Sequence, residues 1–127
     1  MIKQFSIKTS KRNEFIDITA QIQEMVAEVP EGVVTVFVPH TTTGITINEN
    51  ADPDVPRDIL KKLESLIPKK DNYSHMEGNS DAHIKASLFG SSVRVIVKDG
   101  QLLLGTWQSI FFCEFDGPRT RTFYTQI

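Results

Sequence analysis

From Gly90 to the last residue the chain carries no helical period, and that feature constrains the fold more than any other. VRVIV (93–97), the dipeptide Asp99-Gly100 and LLL (102–104) form a hairpin signature of the type I′ kind, in which both turn residues take positive φ. WQSIFFCEF (107–115), the turn DGP (116–118) and TRTFYTQI (120–127) predict a second hairpin. A chain ending this way must build an antiparallel sheet, and the earlier segments must cover it.

Those earlier segments change period more than once. Residues 2–8 alternate imperfectly, as an edge strand does. From Glu14, the residues Phe15, Ile18, Ile22, Met25, Val26 and Val29 recur at spacings of three and four, predicting an amphipathic helix that ends before Pro30. VVTVFV (33–38) suits a strand covered on both faces, stopped by Pro39. Gly44–Asn50 predicts a short strand with Ile45 and Ile47 on one side. ADPDVPRD then opens a helix whose apolar stripe is Ile59, Leu63, Leu66 and Ile67, ended by Pro68. Residues 69–81 are a polar loop, and a short helix, Asp81–Phe89, is capped by Asn79 or Ser80 and closed by Gly90. The reading is one α+β domain over residues 1–127, an antiparallel-rich sheet with about three helices and no internal repeat.

Composition removes several function classes. Fourteen basic residues are scattered among 16 acidic ones for a net charge of −2, so a concentrated basic face for nucleic acid is not expected. The longest apolar run, Val33–Val38, is too short to cross a membrane, and MIKQFSIKTSKR lacks the apolar stretch of a secretion signal. The single cysteine, Cys113, stands among Phe111, Phe112 and Phe115, where it reads as a small buried apolar residue. These features together predict a cytoplasmic protein in a reducing compartment.

All three histidines fall in Thr-, Gly- and Asn-rich connections and none on an apolar stripe, which makes a shared site the better reading. His40 opens PHTTTG (39–44), where Thr41, Thr42, Thr43 and Gly44 could hold an anion; the plainer reading is a turn satisfied by threonine hydroxyls. His75 and His83 bracket HMEGNSDAH (75–83), which also supplies Glu77, Asn79 and Asp81. Three neutral imidazoles leave a fourth position open on a divalent ion such as zinc, with Glu77 and Asp81 as partners or bases. Glu49, Asp52, Asp54 and Asp58 could hold magnesium brought with a diphosphate, although capping explains the aspartates more simply and leaves Glu49 as a candidate base. Arg119 and Arg121 in FDGPRTR would point to one side of the last strand as a phosphate fork, or protect an exposed edge. Trp107 is either packing or a ring for stacking a heterocycle.

PHTTTGITINENADPDVPRDI, YSHMEGNSDAHIKASLFGSS and LLLGTWQSIFFCEFDGPRTR, taken in order, resemble the YjbQ family, known as secondary thiamine-phosphate synthases. Pro56 departs from the helix-compatible residue expected there. The resemblance implies a homotrimer that packs sheets around a threefold axis, with sites close to subunit boundaries. It also implies a metal bound by His40, His75 and His83. The implied reaction joins hydroxymethylpyrimidine diphosphate to a thiazole phosphate and releases pyrophosphate. Two other readings are a metal-dependent phosphoester hydrolase and a trimeric protein that binds a phosphorylated metabolite without turnover.

Overall fold

The computed structural model describes residues 1–127 as an α+β fold of eight strands and three helices. In chain order the elements are β1 (Ile2–Lys8), β2 (Glu14–Asp17), α1 (Thr19–Val26), β3 (Glu31–Phe37), β4 (Thr43–Glu49), α2 (Asp54–Leu66), α3 (Ser80–Phe89), β5 (Ser92–Lys98), β6 (Gln101–Leu102), β7 (Gln108–Glu114) and β8 (Thr120–Gln126). They make a five-stranded sheet, β1-β8-β3-β5-β6, and a three-stranded sheet, β2-β7-β4, with every pairing antiparallel.

The β5–β6 hairpin forms as expected, because Asp99 and Gly100 have φ of 52° and 72° and Lys98 pairs with Gln101. The second expected hairpin does not form. β7 and β8 lie in different sheets, since β2 and β4 occupy both edges of β7 while β1 and β3 occupy both edges of β8. DGP is therefore a corner between sheets. Gly117 crosses so close to the β1–β2 connection that a Cβ there would lie 2.3 Å from the Lys11 carbonyl oxygen.

β7 explains the layering. Its alternate residues Ile110 and Phe112 belong to a core shared with Ile18, Ile22, Val26, Val34, Val36, Ile45 and Val97, between the two sheets. Its other face puts Phe111 and Cys113, with Phe115 just beyond, into a second cluster with Ala82 and Ala86 of α3. Both faces are thus buried, which accounts for the unbroken apolar run.

The helix expected from Glu14 begins later. Phe15 packs in the second cluster while Ile18, Ile22 and Val26 fill the first, so β2 pairs with β7 and only the residues from Thr19 onward are helical. Asp17 Oδ1 accepts the Thr19 N–H at 2.9 Å at this junction. β3 is covered on one face only: Val34 and Val36 are buried, whereas Val33 and Phe37 join Ile2 and Ile96 on an open face of the large sheet. α2 buries none of its residues and docks through Leu63, with Leu66 of the expected stripe exposed. Pro56 sits in its first turn, where the missing N–H has no helical partner to lose.

No helix is long and apolar enough to cross a membrane.

Candidate functional site

A cleft of about 450 Å³ opens where the β3–β4 connection, the residues leading into α3 and the β7–β8 corner meet. Its lining contains no hydrophobic residue: Pro39, His40, Thr41 and Thr42 come from the first segment, His75, Glu77, Asn79 and His83 from the second, and Asp116, Arg119 and Arg121 from the third. All three histidines therefore converge on one cleft. A second hollow of about 400 Å³, lined by Thr43, Ser87, Gly90 and Ser91 among others, adjoins it and shares His40, Thr41 and His83.

The cleft floor is rigid because Arg121 is almost fully engaged beneath it. Its Nε and Nη2 donate to Glu114 Oε1 and Oε2 at 2.8 and 2.6 Å, and Nη2 also donates to Thr42 Oγ1 at 2.8 Å. Glu114 is wholly buried and also accepts from Thr9 Oγ1 and from the Phe115 and Asp116 N–H groups. Burial works to raise the Glu114 pKa, but the hydrogen bonds from Arg121, the Asp116 N–H and Thr9 outweigh it and hold the group below its ordinary value. The Arg121 Nη1 has no protein partner and is not among the sealed, unpaired atoms, so it remains a donor directed out of the ion pair. Arg119 lies before β8 rather than on it, donating to the Asp116 carbonyl and carboxylate, so the two arginines do not form a fork on one strand face.

His40 is held by backbone. Its Nε2 lies 3.0 Å from the Thr122 nitrogen and 3.1 Å from the Thr122 carbonyl oxygen. With the ring proton on Nδ1, Nε2 accepts the Thr122 N–H; with the proton on Nε2, the ring donates to the Thr122 carbonyl, and only this second tautomer leaves Nδ1 a lone pair for a metal or a proton. Burial and the nearby Arg121 charge lower the His40 pKa from its ordinary value, which favours the neutral ring. His75 and His83 meet edge to face with ring centroids 5.5 Å apart, and Glu77 Oε2 stands 3.9 Å from His75 Nε2. The donor chemistry suits a zinc-like ion. As placed, the set is open, for no three His, Cys, Asp or Glu side chains gather closely enough to enclose one.

Asn79 supplies no side-chain cap to α3. Its Nδ2 instead donates to Asp116 Oδ2 at 3.0 Å, and its Oδ1 is buried without a partner. Thr43 Oγ1 is the other buried polar atom left unpaired.

Several expected site residues lie elsewhere. Asp81 is wholly buried beneath α3, where its carboxylate accepts from Arg12 Nη1 and Nη2 at 2.8 and 3.0 Å and from Lys85 Nζ at 3.3 Å; it cannot act as a base in the cleft. Lys85, only 1% exposed, also donates to Glu64 at 3.0 Å. Sequence reading missed this buried network; the i,i+4 spacing of Asp81 and Lys85 was its one visible signal. Glu49 lies at the far end of β4 opposite Gln108, away from the histidines. The cap position of α2 is Pro53, without a side-chain cap; Asp52 Oδ1 accepts the Asp54 N–H at 2.9 Å in the turn just before it, so Asp52 is engaged locally. Gly44 packs under α3, where a Cβ would come within 2.7 Å of Phe89 Cβ, rather than binding an anion. Trp107 is 62% exposed and outside the cleft.

A family model described as UPF0047 protein YjbQ-like matches residues 3–127. A UPF0047 protein of Methanocaldococcus jannaschii is 58% identical, covering 100% of this chain and 94% of the relative. YugU of Bacillus subtilis, another UPF0047 protein, is 52% identical over 100% of this chain and 98% of its own. Among solved structures, an uncharacterized conserved protein of the yjbq/upf0047 family from Clostridium acetobutylicum superposes with a TM-score of 0.96 at 57% identity, covering 98% of each chain. A conserved hypothetical protein from Thermus thermophilus gives 0.93 at 38% identity, again over 98% of each. With the sequence matched from end to end and the same fold in its relatives, this chain belongs to the YjbQ (UPF0047) family.

Proposed function

We propose that the cleft binds phosphorylated small molecules and carries out a metal-dependent group transfer of the thiamine-phosphate synthase type, joining hydroxymethylpyrimidine diphosphate to a thiazole phosphate with release of pyrophosphate. One observation carries this reading. Imidazoles from three separate segments line a wholly polar cleft whose floor is a buried arginine with an uncommitted Nη1. A guanidinium already fixed by Glu114 and Thr42 needs no reordering to receive an anion, which is what electrostatic stabilisation of a departing pyrophosphate requires.

His40, His75 and His83 would hold the ion, zinc by donor type, and magnesium would arrive with the diphosphate. When bound, the ion supplies positive charge against the leaving group. Arg121 Nη1, Arg119 and the hydroxyls of Thr41 and Thr42 orient the phosphate groups, while the Thr122 backbone holds the His40 ring still. The hydrolase alternative is weakened because Asp81 and Glu49 lie outside the cleft, leaving Glu77 as its only base from the expected set. We also assign the protein to the cytoplasm, in keeping with a lone buried thiol. A homotrimer is the proposed assembly, and the open apolar face bearing Ile2, Phe37 and Ile96 supports an association between copies.

Incubation with both substrates and product analysis tests the reaction. The coupled product with equimolar pyrophosphate is expected. Pyrophosphate release without the thiazole partner would establish the hydrolase reading, and binding with no product over long incubation would establish a sequestering protein.

A further inference from the structure

We infer that Tyr73 and Ile84 form the subsite for the uncharged half of the ligand, an aromatic ring joined through a short linker to its phosphate, and that Tyr73 is the residue that selects the ring. This rests on the phosphate reading above and deepens it. The sequence expectation gave ring stacking to Trp107, which stands exposed outside the cleft.

The inference comes from how charge is divided across one pair of histidines. His75 and His83, with ring centroids 5.5 Å apart, line the polar cleft. The same two residues line a further hollow of about 370 Å³, whose remaining walls are Tyr73, Ser74, Ser80 and Ile84. Arg119, Arg121, Asp116 and Glu77 all belong to the cleft, and the hollow adds no charged side chain to the two imidazoles it shares. Phosphate groups are therefore held on the arginine side. A neutral group is what the far side of the histidine pair takes without stranding a charge.

The surface of the hollow specifies that group. Tyr73 is half-buried, and its hydroxyl donates to the Pro68 carbonyl at 2.6 Å, so its polar end is tied back to the loop and the ring is held in place. Ile84 follows His83 in α3, belongs to neither core and is 39% exposed. An aromatic ring and a branched aliphatic chain beside two imidazoles suit a flat ligand ring, which gains from stacking as well as from burial. The hollow beside Thr43 also adjoins the cleft, but it offers hydroxyls, Gly90 and Ala86, and no ring beyond the imidazoles it shares. With the ligand ring against Tyr73 and its phosphate toward Arg119 and Arg121, the linker between them lies beside His75 and His83. Tyr73 and Arg121 are both fixed by bonds of their own, so neither has to be ordered when the ligand enters.

The test is calorimetric titration of the whole chain with inorganic phosphate, methyl phosphate and benzyl phosphate, repeated on Tyr73→Ala, Tyr73→Phe, Ile84→Asn and Trp107→Ala. The wild type should bind benzyl phosphate about fivefold to tenfold more tightly than methyl phosphate, the value of one stacked ring. Tyr73→Ala should bring the two esters to within about twofold while inorganic phosphate binds as before. Tyr73→Phe, which keeps the ring, should keep the preference, and so should Trp107→Ala. Ile84→Asn, a change on the exposed surface of α3, covers the case in which Tyr73→Ala does not fold, and should lose most of the preference. Equal affinity for the two esters in the wild type, a preference kept in folded Tyr73→Ala or Ile84→Asn, or one lost in Tyr73→Phe or Trp107→Ala, would overturn the inference while leaving the phosphate reading intact. Failure of all three ligands to bind would overturn both.

Discussion

Arg121 and Glu114 face each other across the corner that joins β7 to β8, with Nε and Nη2 donating to both carboxylate oxygens at 2.8 and 2.6 Å. One end of each strand comes from a different sheet, so the pair ties the two sheets together directly beneath the cleft. Glu114 is the only acidic side chain on that face of β7, and Thr9 from the β1–β2 connection completes its set of donors. The geometry of the cleft floor therefore depends on an ion pair.

Replacing one partner should be costly. Glu114→Ala leaves the Arg121 guanidinium buried and unpaired, and such a loss destabilises by about 3–5 kcal/mol. The melting temperature should fall by about 10–20 °C. A shift of only a degree or two would show that the pair is solvated in solution.

The same pair sets an acid limit. The Glu114 pKa is lowered on folding, so its contribution to stability is complete above the unfolded carboxylate value of about 4.3 and is lost as pH falls through the folded value. Asp81, lowered through Arg12 and Lys85 against the opposing effect of burial, acts in the same direction. Denaturant titrations at stepped pH should show stability declining only below about pH 5. Asp81→Asn should flatten part of that decline and lower stability at pH 7.

On the proposed metal reading, His83→Ala should abolish metal retention while leaving the fold intact, because His83 is half-buried and its backbone, not its ring, holds the helix. Elemental analysis of unsupplemented protein, with circular dichroism as control, checks this. Unchanged metal content would remove His83 from the ligand set.

Trp107→Ala and Glu49→Gln should leave turnover and phosphate binding within twofold of wild type, since neither side chain lines the cleft. Both are surface changes, worth about 0.5 kcal/mol or less in stability. A large loss of activity in either would place part of the site outside the cleft described.

Gly44→Ala should disturb the site from below. The new methyl would meet Phe89 Cβ at 2.7 Å and push α3 off β4, costing about 1–3 kcal/mol. Because α3 carries His83, ligand affinity should fall together with melting temperature, as a titration and a melting curve on the same sample would show.

Much of this molecule could be read along the chain. Alternation marked β1 and β4, and the lack of a helical period marked the strands after Gly90; Asp99-Gly100 marked its hairpin; Gly90, at φ 85°, closed α3. These are local properties, set by side-chain spacing and by backbone conformations that only certain residues adopt. The placing of His40 and His75 in polar connections and of His83 in the first turn of α3 belongs with them, since none of the three stands on a stripe that packing would bury.

Only the tertiary structure decided the rest. Phe15 and Ile18 have helical spacing, yet they serve different cores, and the competition for β7 turned Glu14–Asp17 into a strand. β7 and β8 have the sequence of a hairpin, but each finds partners on both edges elsewhere. Asp81 has the sequence context of a base and is sealed by Arg12, 69 residues away, while Arg121 has that of a surface charge and is buried by Glu114. Strand pairing and charge burial are settled by groups distant in sequence, and periodicity within one segment contains no information about which of those groups will arrive.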